Sequence, residues 1–149
     1  MSLLKNKKAT FNYEIEEVLQ AGLELFGNEV KSIRGKMGSL EGGRVVVRGN
    51  EAYLVGVTIP PYQPNNTSKE YDPERPRRLL LTKKEISRLA GIESKKGLTI
   101  VPISVYNVKR NLKLEIGIAR GKKRFDKRES IKKKDSKRDV EREVKFKLK

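Results

Sequence analysis

The side chains able to do chemistry in this sequence are cations, carboxylates, amides and a few rings, and the cations come in clusters. Gly121-Lys122-Lys123-Arg124 runs into Phe125-Asp126-Lys127-Arg128, Asn6-Lys7-Lys8 leads to Phe11, and Arg75-Pro76-Arg77-Arg78 closes a proline-rich stretch. Cations in this pattern neutralise phosphates, and a ring among them stacks on a base or slots into a groove. Each cluster also has a plainer reading: a solvated tail, an ordinary N-terminal arm, and a rim of surface ion pairs worth little. The chain contains no Cys, His or Trp. Thiolate nucleophiles, zinc–thiolate and iron–sulfur sites, and Ser–His or Cys–His catalysis are therefore excluded. Lys, Tyr, Asp and Glu survive as catalytic groups, and carboxylates survive as Mg²⁺ ligands. Asp126, Glu129 and Asp135 lie among at least twice as many cations, and no nucleophile elbow or Gly-rich phosphate loop is present. The expectation is a protein without catalytic residues, resident metal or cofactor.

The 149 residues carry 35 Lys+Arg against 19 Asp+Glu, a formal charge of +16. That balance points to a polyanionic partner, with nucleic acid ahead of an anionic membrane. Membrane binding would call for a basic helix with a Trp, Phe or Leu face, and the basic C-terminal segment is poor in apolar residues. No apolar run reaches membrane-spanning length, and residues 1–10 are too polar and basic for a signal peptide, so a cytoplasmic protein is expected. The charge divides in two. Residues 121–149 hold 14 cations and 6 carboxylates, a net of +8; residues 1–120 hold 21 and 13, again +8. Over residues 121–139 Phe125 and Ile131 are the large apolar side chains, too few to offset the entropy of ordering. The expected organisation is a domain over 1–120 and a basic tail over 121–149 that is disordered in the free protein. Val140, Val144 and Leu148 recur at helical spacing, and Glu141/Lys145 and Glu143/Lys147 are favourable i,i+4 pairs, which marks a helix awaiting a surface.

The elements that must position the clusters read mainly as strands. An alternating strand runs from Tyr13 to Gly22, and Val30, Ile33 and Met37 recur at helical spacing in a short helix over 28–34, with Lys31 and Arg34 on its other face. Arg44–Arg48 and 52–59 are β-branched runs joined by Gly49-Asn50, a hairpin signal. Five prolines make 60–76 a long loop. Leu79-Leu80-Leu81 resumes the core and enters a Thr82-x-x-Glu85 capping box, with a helix expected to stop at Gly91. Leu98–Val108 and an alternating run from Leu112 to Ala119 complete the set. About six mostly antiparallel strands with a few short helices imply a small closed barrel of the oligonucleotide-binding type, whose loops hold ligands.

At the level of whole motifs the chain resembles the SsrA-binding protein family, small protein B. The resemblance is carried by Asn6-Lys-Lys-Ala9, Gln20-Ala-Gly22, Gly27-Asn-Glu-Val-Lys-Ser-Ile-Arg34, Arg77-Arg-Leu-Leu-Leu81, Gly97-Leu-Thr-Ile-Val-Pro102, Ile116-Gly-Ile-Ala-Arg-Gly-Lys-Lys123 and Asp126-Lys-Arg128. It implies a mainly β fold, a six-stranded antiparallel closed barrel with about three helices. It also implies binding to the tRNA-like domain of transfer-messenger RNA and delivery of that RNA to stalled ribosomes for trans-translation. Carried over by position, the RNA-binding face comprises Asn6, Lys7, Lys8, Phe11, Gln20, Leu80, Thr82 and Lys113. The basic residues Lys31, Arg34, Arg77 and Arg78 complete the expected set. The tail, with Gly121, Lys122, Lys123, Phe125, Asp126, Lys127, Arg128, Ile131, Val144 and Phe146, is expected to fold in the vacant message channel at the decoding centre of the small subunit. Elongation factor Tu enters indirectly through the charged RNA, and the free protein is expected to be a monomer. A structural ribosomal-RNA-binding or assembly protein is the alternative. Family members often carry an acidic residue at Gln20, asparagine at Thr82, and histidine at Phe11 and Phe125, so stacking and neutral hydrogen bonds survive here while the carboxylate does not.

Overall fold

The computed structural model describes residues 2–63 and 70–121. Lys122, Lys123, Phe125, Asp126, Lys127, Arg128, Ile131, Val144 and Phe146, all expected tail contacts, lie outside the described residues, as do 64–69 of the long loop.

The elements follow in the order β1 (Ser2–Lys5), α1 (Lys7–Asn12), β2 (Tyr13–Leu23), α2 (Gly27–Arg34), β3 (Arg44–Arg48), β4 (Glu51–Val55), β5 (Arg77–Leu80), α3 (Lys83–Glu93), β6 (Leu98–Val108) and β7 (Asn111–Gly121). All pairings are antiparallel, in the spatial order β1-β6-β7-β2-β5-β4-β3. The mainly β class holds, with three helices. The sheet has seven strands rather than six, because the N-terminal segment expected as an arm pairs with β6 and then turns into α1. Among the described residues no ladder joins β1 to β3, so the sheet is open and the closed barrel expected above is not met. It curls nonetheless: β3 lies against β6, and a side chain on Gly43 would strike Val57 and Pro102.

Alternation in β7 sets the two faces. Leu112, Leu114, Ile116 and Ile118 enter the main core with Leu40, Leu54, Leu79, Leu89 and Ile100. The opposite face carries Lys113, Glu115, Gly117 and Ala119, and α1 covers the far end of it through Ala9, packed with Val101, Ala119, Tyr13 and Ile15. Gly117 is required there, since an added Cβ would come within 2.8 Å of Ile103 and 3.2 Å of Ile15.

Local chemistry explains most boundaries. Gly49 and Asn50 both adopt positive φ, 58° and 63°, as a type I′ hairpin turn demands. β4 ends at Val55 rather than Ile59 because Gly56, at φ +74°, approaches Gly42 too closely for any side chain. The capping box forms: the Glu85 N–H donates to Thr82 Oγ1 at 3.2 Å, and the Thr82 N–H donates to Glu85 Oε1 at 3.0 Å. The helix does not stop at Gly91. Ile92 is buried in the core, and Glu93 accepts the Val47 N–H at 2.8 Å and Arg48 Nη1 at 2.7 Å. Those anchors outweigh the helix penalty of glycine, about 1 kcal/mol, and they occupy an N–H on the exposed edge of β3.

Glu29 on α2 is wholly buried and charged. It receives Arg77 Nε at 2.8 Å, the Phe26 N–H at 2.8 Å, and a bidentate approach from Arg75, whose guanidinium lies 3.9 Å over the Phe26 ring. Tyr71 donates its hydroxyl to the Ile59 carbonyl at 2.8 Å and reaches Glu29 at 3.1 Å. Arg77, also fully buried, spends its remaining donors on the Val57 and Pro73 carbonyls, both at 2.9 Å. Burial alone pushes the Glu29 carboxyl up, but the hydrogen bonds from Arg75, Phe26 and Arg77 outweigh it and hold the pKa below the usual 4.5. Because the folded-state value is depressed, the stabilisation is present above the unfolded pKa and is lost as pH falls through the folded one. Glu29→Ala should cost about 3–5 kcal/mol by stranding Arg77. Urea denaturation should show this loss at pH 7, shrinking on acidification below pH 4.5; a variant as stable as the parent at pH 7 would contradict the assignment.

Candidate nucleic-acid interface

The outward face of the sheet is built by strand parity. Gly22 in β2 stands opposite both Leu80 in β5 and Lys113 in β7, and Gln20 stands opposite Glu115. An added Cβ on Gly22 would sit 3.0 Å from the Leu80 Cβ, so the glycine is what allows the leucine to lie across β2. Leu80 is 50% exposed although its neighbour Leu79 is buried. Thr82 follows at the N-terminus of α3. Gln20, Gly22, Arg78, Leu80, Thr82 and Lys113 thus line one groove of about 900 Å³ between the sheet and α3.

The charges in this groove are mixed. Arg78 donates Nε to Glu24 at 2.8 Å and lies 3.5 Å from Glu51. Glu24 first and Glu51 second push the Arg78 pKa up, so the guanidinium stays charged and is aimed by two carboxylates. Tyr106 stands opposite Lys113 in β6, its hydroxyl buried with no hydrogen-bond partner among the described residues. Burial, followed by Glu115, raises the pKa of that phenol. Sequence reasoning missed Tyr106, though an aromatic at a strand position paired with Lys113 was a usable signal once the β6–β7 hairpin was recognised.

The other expected residues separate from the groove. Asn6 is 7% exposed; its Nδ2 donates to the Pro102 carbonyl at 2.9 Å and to Leu40, which locks the turn between β1 and α1. Lys7 is exposed on α1, Lys8 pairs with Glu41 at 3.6 Å, and Phe11 is half-buried. This patch sits over the Ile15 end of β2, about 20 Å along the strand from Gly22. Lys31 and Arg34 are exposed on α2, and Arg34 Nη2 donates to the Arg110 carbonyl at 2.7 Å. Two of the expected residues are held within the fold, one by burial and the other by strand pairing. Arg77 is sealed against Glu29 and has no face for a phosphate, because it shares strand parity with Leu79 rather than with Leu80. Gly121, taken as the start of the tail, is the last residue of β7 and pairs with Tyr13. Among the described residues no group of three or more carboxylates, His or Cys is placed to hold a metal ion, and no helix is long and apolar enough to cross a membrane.

A curled antiparallel sheet with an amide, a guanidinium, an ammonium and an exposed leucine along one outward groove has the make-up of a small nucleic-acid-binding domain. The family model for the SmpB protein matches residues 3–146, and the chain belongs to that family. It is 46% identical over 121 residues to the SsrA-binding protein of Roseiflexus sp. (strain RS-1), covering 81% of this chain and 77% of that one. It is 44% identical over 126 residues to the SsrA-binding protein of Ralstonia pickettii (strain 12J), covering 85% of each. Among solved structures it matches a chain from "tmRNA-SmpB: a journey to the center of the bacterial ribosome" with a TM-score of 0.68 and 40% identity, over 86% of this chain and 93% of that one. The family is one of RNA-binding proteins rather than of enzymes.

The close approach at Gly22 is directly testable. Gly22→Ala should push Leu80 off β2 and cost on the order of 1 kcal/mol through overpacking. Methyl NMR should show the Leu80 resonances displaced, and unchanged resonances would refute the contact.

Proposed function

We propose that this chain binds the tRNA-like domain of transfer-messenger RNA through the groove around Leu80 and Lys113, and brings that RNA to stalled ribosomes for trans-translation. The observation that carries the reading is convergence. Gln20, Leu80, Thr82 and Lys113 come from three strands and a helix cap, span 94 residues of sequence, and line one groove. Family membership and the names of the relatives support the choice of RNA. The curl of the sheet supports an oligonucleotide-binding-like frame, in which shape is read by the face and phosphates by the cations.

In this reading Lys113 meets a phosphate, Leu80 packs against a sugar or base, and Gln20 and Thr82 hydrogen-bond without contributing charge. Lys7, Lys8 and Phe11 extend the contact along β2, with Phe11 stacking. The charge division in the sequence supports a second contact: residues 122–149 enter the message channel at the decoding centre of the small subunit, and the RNA itself carries elongation factor Tu. The protein acts in the cytoplasm as a monomer, without catalytic chemistry of its own.

Lys113→Ala and Leu80→Ala should each lower affinity for a transcript of the tRNA-like domain by about tenfold, on the scale of one stacked base or charged contact, with the fold intact by circular dichroism. Wild-type affinity in a gel-shift titration would refute the assigned face. Truncation after Gly121 should leave binding to that transcript nearly unchanged and abolish peptide tagging on stalled ribosomes in a reconstituted translation system. Equal loss of both would contradict the division of labour between domain and tail.

A further inference from the structure

Leu80 and Lys113 border a second concavity on the side away from the groove, of about 320 Å³. Its floor is aliphatic, made by Leu23, Leu25, Val30 and Leu112, and its rim carries Arg110 from the turn between β6 and β7 and Asn111 from the start of β7. The turn is held in place: Lys109 takes positive φ, 56°, and Arg34 on α2 donates to the Arg110 carbonyl. The two hollows differ in charge. The groove holds Glu51 and Glu85 beside its cations, whereas among the described residues the smaller hollow is lined by two cations and no carboxylate.

We propose that this concavity receives one unpaired nucleotide of the RNA bound in the adjoining groove, its base against the aliphatic floor and its phosphate between Arg110 and Lys113. The inference rests on the RNA-binding reading above and extends it to a second subsite. Three features select that occupant. The volume lies at the lower end of small-ligand pockets, which suits a base rather than a peptide segment. The uncompensated pair of cations asks for an anion at the rim, directly above an apolar floor. The hollow and the groove share Gly22, Leu80 and Lys113 as a common border, so an RNA strand lying in one can cross Leu80 into the other. Asn111 supplies an amide that both donates and accepts, the pattern that reads a base edge. Arg34 is then a positioning residue: its Nη2 is committed to the Arg110 carbonyl and fixes the turn that presents Arg110 next to Asn111.

The test uses the full chain and a transcript of the tRNA-like domain. Arg110→Ala and Val30→Asp should each weaken binding about fivefold or more, the lower range for a stacked base. Arg110→Ala should also flatten the slope of log affinity against log salt by about 0.7–0.9. In 2′-hydroxyl acylation footprinting of the Val30→Asp complex, one unpaired nucleotide should regain reactivity while the remaining protections persist. Parental affinity and an unchanged footprint for both variants overturn the proposal. Arg110 is exposed in a turn, so its variant stays informative should Val30→Asp unfold. Leu80→Ala is measured alongside: if it too binds like the parent, the RNA reading itself fails and the subsite falls with it, whereas failure confined to Arg110 and Val30 removes the subsite alone.

Discussion

The buried carboxylate of Glu29 is the constraint on which the proposed binding face depends. It sits on α2 with no exposed surface and neutralises Arg77, equally buried in β5, while Arg75 closes over it from the long loop. Two charges removed from water are tolerable when every donor is matched, as here by the Val57, Pro73 and Ile59 carbonyls and the Tyr71 hydroxyl. The consequence is positional. Fixing Arg77 inward fixes the parity of a four-residue strand too short to specify its own register. Arg78 and Leu80 must then face outward, over Gly22 and beside Lys113.

The groove inherits its properties from that parity. Leu80 stays exposed because Gly22 offers no side chain for it to pack beneath, and Arg78 is aimed by Glu24 and Glu51 rather than left to swing freely. An aimed guanidinium gives up part of its attraction for phosphate to those carboxylates, but it loses less side-chain entropy on binding. Lys113 has no carboxylate partner within salt-bridge distance among the described residues. Sequence adjacency thus separates three roles: Arg77 holds the fold, Arg78 is pre-positioned, and Leu80 presents apolar surface.

Much of the fold was legible because it is local. The β7 alternation, the Gly49-Asn50 turn and the Thr82–Glu85 capping box each follow from chemistry within a few residues. What escaped was non-local. β1 and α1 are too short to signal themselves in sequence, and they exist because β6 and the Ala119 patch receive them. The helix runs past Gly91 because Glu93 finds partners 45 or more residues away and Ile92 joins the core. The site was legible as a set of residue types, and the family resemblance named Gln20, Leu80, Thr82 and Lys113. Composition alone gave Arg77 the same standing as Arg78. The distinguishing signal was Leu79: in a strand, the residue two before a core leucine is on the core side, and a buried arginine there requires a buried acid such as Glu29.

The central claim is that one RNA is selected by this face. Sequencing the RNA that co-purifies with the full chain from cells tests it most directly. Recovery of one dominant transfer-messenger RNA is the predicted result, and a spread of ribosomal RNA without it would contradict the account.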